Sequence, residues 1–138
     1  MRRTLAVLAA ILVLGPLTAC EWLGSLGPSS APATWALEAD ADLGPDTMEF
    51  VALVTEVGCA SGRSAEGRVL PPDILYGERT ITVTFSVEPL SGDHECPGNP
   101  ATPVTVTLTQ PLRDRRLLDG GLSPPAAPQP CEDPPFCT

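Results

Sequence analysis

His94 is the only histidine in the 138-residue chain, and it stands between two carboxylates in Asp93-His94-Glu95, directly before Cys96. These are metal-ligand residue types. In an extended strand, however, successive side chains point to opposite faces. An ion would therefore need a curled loop here and further ligands from elsewhere. A polar loop is the simpler expectation. Asp40, Asp42 and Asp46 have the spacing of a calcium loop, but proline replaces the glycine at loop position six and Val51 the carboxylate at position twelve. That segment reads as an acidic turn between two strands. Ser61 and Ser64 offer hydroxyl nucleophiles, with His94 as the one candidate base. No G-x-S-x-G turn is present, and no acid is evidently placed to orient the imidazole. With one histidine and no lysine, few groups can act as a general base near neutral pH. The expectation is a non-enzymatic protein without a cofactor.

Two polar features remain. Arg113-Asp114-Arg115-Arg116 gathers three guanidinium groups, whose planar forks fit carboxylate or phosphate. The plainer expectation is that they pair with the chain's own carboxylates and pin the last strand. Thr82, Thr84 and Ser86 alternate with apolar residues, as do Thr105, Thr107 and Thr109. Paired as a hairpin, those strands would display a flat ladder of hydroxyls to a partner sheet or a glycan. Threonine equally suits any solvent-facing strand position.

The N-terminus carries a different chemistry. Arg2 and Arg3 precede an apolar run, Leu5–Leu14, which Gly15-Pro16 breaks. A spanning helix needs roughly 20 apolar residues, so this shorter run reads as a secretory signal. Leu17-Thr18-Ala19-Cys20 then matches the bacterial lipoprotein box. In proteins with that box the thiol receives a diacylglycerol through a durable thioether, and cleavage leaves the cysteine as the new N-terminus. Acyl chains such as palmitate contribute about 0.8 kcal/mol per buried methylene, and two chains hold a protein stably on a membrane. The sequence thus predicts a signal over 1–19 and a lipid anchor at Cys20. Residues 20–33 would form a tether, and the location would be the cell membrane or envelope, outside the cytoplasm.

Loss of residues 1–19 leaves six arginines against 17 acidic side chains, a net charge of −11. Such a chain is repelled by nucleic acid. Every basic residue is arginine, a bias of GC-rich coding. Besides Cys20 there are four cysteines, Cys59, Cys96, Cys131 and Cys137, which in an oxidising compartment read as two disulfides with three possible connectivities.

The elements that must position these residues are strands. Ile81–Val87 and Val104–Thr109 alternate strictly, and Glu49–Val57 is apolar on both faces, as in a central strand. Weaker strands fall at Thr34–Leu37, Val69–Tyr76 and Arg116–Leu118, and no amphipathic helix stands out. The fold expected is all-β: a small antiparallel sandwich or meander of immunoglobulin-like character, stapled by disulfides, over residues 34–122. Run as a meander, the strands place Cys59 and Cys96 at one end of the sheet. This favours Cys59–Cys96 with Cys131–Cys137. Residues 123–138 are Pro-dense and should be extended and poorly packed.

Three blocks, VTEVGCASG (54–62), ECPGNPATPVTVTL (95–108) and PLRDRRLLDGG (111–121), resemble a family of small exported actinobacterial proteins. The resemblance implies no catalytic residue. Arg113 stands where similar chains carry glycine, and Leu122 where a further cysteine often follows. The expectation is a lipid-anchored, non-enzymatic binding module that meets an envelope protein or glycan. The alternative is a small-ligand or metal-ion carrier using Asp93, His94 and Glu95.

Overall fold

The computed structural model describes residues 30–137, which form seven strands and no helix. These are β1 (Ala31–Glu38), β2 (Glu49–Glu56), β3 (Asp73–Tyr76), β4 (Thr80–Val87), β5 (Thr102–Thr107), β6 (Arg116–Asp119) and β7 (Pro130–Cys131). The all-β, disulfide-stapled fold is as the sequence implies. The alternation along β4 buries Ile81, Val83, Phe85 and Val87, while the polar residues between them stay half-exposed. The signal, Cys20 and most of the tether lie outside the described residues. The domain itself begins earlier than residue 34, because Ala31–Ala33 pair with Phe85–Val87 and Ala33 is buried.

The strand order is β3-β4-β1-β2-β5, with β6 added to β4 and β7 to β1. All pairings are antiparallel except those of β6 and β7, which run parallel to their partners. The β3–β4 hairpin is the neighbour relation a meander requires. Two other neighbour relations of the meander fail. β2 is flanked by β1 and β5, not β3, and β5 is separated from β4 by β1 and β2. Trp35 supplies the physical reason. From a central β1 its ring reaches Phe50 of β2 at 5.5 Å and Phe85 of β4 at 6.3 Å, and its Nε1 donates to the Val83 carbonyl at 2.9 Å. Placed at an edge, the largest apolar side chain of the domain would lose half of those contacts.

β3 occupies one edge of β4, so β6 and β1 must share the other, laid end to end against Thr80–Val83 and Phe85–Val87. At their joint the chain turns through Gly120-Gly121. A Cβ on Gly120 would strike Thr84 Oγ1, and one on Gly121 would strike the Ala33 carbonyl oxygen. Close backbone approach therefore explains both glycines.

β1 and β2 are covered on both faces. Ala33, Trp35, Phe50, Ala52 and Val54 face the main core, whereas Ala36 and Leu53 face a second cluster with Cys131. That second cover is the Pro-dense C-terminal segment. It is extended and mostly exposed, with Pro128 and Cys137 half-buried; its packed point is Cys131, 4% exposed, where β7 runs along β1, and the Ala101 amide donates to the Pro135 carbonyl at 2.6 Å. Ala36 and Leu53 would otherwise face water, which supplies the drive for packing. The disulfides are Cys59–Cys96 and Cys131–Cys137, with Cα separations of 4.5 and 5.1 Å. The first ties the loop after β2 to the loop after β4.

Candidate functional site

The Cys59–Cys96 disulfide brings Ser61 and His94 together. Ala60–Arg63 form a tight turn closed by the Arg63 amide on the Ala60 carbonyl at 3.1 Å, with Ser61 and Gly62 at φ 54° and 72°. Both central residues are left-handed, as a type I′ turn demands. The Ser61 amide donates to the Glu95 carbonyl at 2.9 Å, and the Glu95 amide donates to Ser61 Oγ at 3.1 Å. Ser61 Oγ lies 3.5 Å from His94 Nδ1, but Arg63 Nη2 is closer at 3.1 Å. A guanidinium can only donate, so Nδ1 is the acceptor in this contact. Nε2 is buried without a protein partner, and no carboxylate among the described residues bonds the ring. Ser64 does not join the pair; its carbonyl accepts from Arg68.

Asp93 and Glu95 are exposed while His94 turns inward to Arg63, so the three do not converge. Among the described residues no group of three His, Cys, Asp or Glu side chains stands close enough to hold one ion. Asp40, Asp42 and Asp46 lie in the acidic loop that joins β1 to β2.

The threonine rows are not one ladder. Thr82 and Thr84 lie on β4, Thr105 and Thr107 on β5, and β1 and β2 stand between them. Thr82 and Thr84 are moreover half-covered where Gly120 crosses them.

The arginine cluster also behaves differently from expectation. Arg115 braces its own turn ahead of β6, donating to the carbonyls of Leu112 and Pro111 and to Gln110 Oε1, with its guanidinium 5.5 Å above the Tyr76 ring. None of Arg113, Arg115 and Arg116 pairs with a carboxylate. The one ion pair among the described residues is Arg68–Glu56, with the Glu56 side chain 4% exposed. The turn that carries this cluster offers free carbonyls, and these satisfy Arg115 without the carboxylates. Arg113 has φ 54°, a left-handed conformation.

A site that the sequence did not single out lies at the β6–β1 joint. Asp119 is 1% exposed, and its Oδ2 accepts from the Trp35 amide at 3.0 Å while Oδ1 accepts from the Gly121 amide at 2.8 Å. Burial raises its carboxyl above the ordinary value, and the two amides oppose that rise. Asp119 forms part of the wall of a cleft of about 200 Å³ between β1 and the C-terminal segment, along with Trp35, Ala36, Leu122 and Ala127. A second cleft of about 350 Å³ lies beside it, lined by Val57, Cys59, Asn99 and Phe136.

No family model, curated protein or solved structure matches the chain. Among the described residues, no helix is long and apolar enough to cross a membrane.

Proposed function

We propose that the chain is a bacterial lipoprotein, held at the cell envelope by lipid on Cys20, whose small β domain is a non-enzymatic interaction module. The observation that carries this reading is the disposition of the cysteines. Cys59, Cys96, Cys131 and Cys137 are all used in two intrachain disulfides, the pattern of an oxidising compartment. Cys20 is left as the one cysteine outside them, at the end of Leu17-Thr18-Ala19 and behind a short apolar run. An anchored domain whose central strands β1 and β2 are covered on both faces, with two disulfides, is suited to holding a surface in place. That is a requirement of recognition.

Cell fractionation of the wild type and a Cys20→Ser form tests the anchor. Wild type should be in the membrane fraction, and the variant should be released or keep its signal uncleaved. Membrane retention of a cleaved Cys20→Ser form would overturn the lipoprotein reading. Crosslinking in intact cells tests the module: one dominant partner, lost with the anchor, is the expected result.

A further inference from the structure

We infer that the cleft of about 350 Å³ at the end of β2 is a seat for the chain's own N-terminal segment, with the Trp22 indole laid against Val57 and Phe136. The docking does not depend on lipid at Cys20, but a mature chain that starts there rests on the lipoprotein reading.

Five large apolar side chains are exposed among the described residues, and two of them, Val57 at 59% and Phe136 at 55%, line this one cleft. The rest of its wall includes the Cys59–Cys96 disulfide and two glycines, Gly58 and Gly98, whose lack of a side chain lets a flat ring approach the backbone. Left open, the cleft keeps apolar surface in water.

The place where the chain enters the domain decides the occupant. Antiparallel register sets Thr34 opposite Thr55, and the Val57 amide donates to the Pro32 carbonyl at 3.1 Å. Residues opposite one another share a sheet face, so Pro32 stands beside Val57 on the side of the cleft, and it is exposed. The chain upstream of Ser30 therefore leaves from the rim of the cleft. Its large apolar residues are Trp22, Leu23 and Leu26, which a spacer does not require. Gly27-Pro28 is a turn-forming pair that can send the chain back. The residues from Ser30 to Trp22 span at most about 29 Å, enough to return across the mouth of the cleft.

A tethered ring needs little affinity of its own, because a short linker supplies an effective concentration on the order of millimolar. A separate protein would bring an interface of about 20–30 residues a side, and this cleft is far smaller. Seated there, Trp22 holds the end of the domain at which β1 begins close to Cys20. The acidic loop between β1 and β2, at the far end of β1, is then turned away from the membrane.

NMR on the chain from residue 20 onward, with Cys20→Ser for solubility, tests the seat. Nuclear Overhauser contacts should run from the Trp22 ring to the Val57 methyls and the Phe136 ring. Trp22→Ser should shift the Val57, Gly58 and Gly98 amides and leave the Trp35 amide in place. Phe136→Ser, at an exposed position, should remove the contacts with the fold intact. It should also raise the quenching of Trp22 fluorescence by acrylamide several-fold, while Trp35, 4% exposed, stays protected. Contacts found only between labelled and unlabelled copies would assign the cleft to a second chain and overturn the intrachain seat. Absence of the contacts, with the cleft amides unmoved by Trp22→Ser, would overturn it outright. The anchor is read separately, by mass spectrometry of the N-terminal peptide from the membrane fraction. A peptide without acyl groups on Cys20 would fail the anchor and leave the contacts standing.

Discussion

Replacing Asp119 with alanine removes the partner of two backbone amides at once, one of them 84 residues away in the chain. Trp35 is 4% exposed, so its amide has no water to turn to. An unsatisfied buried donor costs about 1–3 kcal/mol, and a hydrogen bond to a charged acceptor contributes about 1.5–3 kcal/mol. The Gly121 amide is only partly buried and loses less. Relief of the carboxylate's own desolvation works in the opposite direction. The balance is a loss of about 2–4 kcal/mol near neutral pH, visible as a lower urea midpoint at unchanged slope. Asp119→Asn separates charge from shape. The folded-state carboxyl lies above its ordinary value of 3.8, because burial outweighs the two amides. The folded protein therefore holds this proton more tightly than the unfolded chain does. That stabilisation is fully present below 3.8 and is lost as pH rises through the raised value. The stability of wild type relative to Asp119→Asn must then increase as the solution is acidified, since the other carboxylates are common to both. A relative stability that falls on acidification would refute the reasoning. It would mean that the amides favour the anion more than burial opposes it.

Replacing both Cys59 and Cys96 with alanine should cost roughly 4 kcal/mol, and replacing both Cys131 and Cys137 roughly 2, because the first bond closes the longer loop. Equal urea midpoints for the two forms would contradict this. Arg68→Met leaves Glu56 buried without its partner and should destabilise by about 3–5 kcal/mol. Adding Glu56→Gln to Arg68→Met should restore most of the loss, a coupling read from a double-mutant cycle. Arg113→Gly relieves a left-handed conformation worth about 1–2 kcal/mol, less the entropy of glycine, so thermal denaturation should show a net gain of about 0.5–1 kcal/mol.

Local pattern made the strands legible. The period-two alternation of Ile81–Val87 depends on nothing beyond those seven residues, and the doubly apolar Glu49–Val57 announces its central place. The disulfides followed because β2 and β4 each end near a cysteine. Neighbour order was not legible, because what centres β1 is the reach of Trp35 to two other strands, a relation absent from its own weakly patterned segment. The same holds for the site. Asp119 stands in a run, Leu-Leu-Asp-Gly-Gly, that reads as the end of a strand. Its importance comes from an amide far away in the chain. A useful signal was present in the paired glycines after it, which mark a close backbone approach. Proline content misled in the opposite direction: it correctly excluded regular structure over much of 123–138, but it gave no sign of the bare Ala36 and Leu53 that the segment covers.

The place of β1 has a consequence for the order of events during synthesis. The first strand to appear pairs with β2 soon afterwards, but it waits for β4, then for Asp119, and last for β7 at Pro130–Cys131. Until the final residues arrive, the middle of the sheet has an open edge and a bare face. Pairings of this separation form slowly, and a chain stopped early exposes apolar strand that invites association. The two-residue pairing of β7 is the last that β1 receives along the chain.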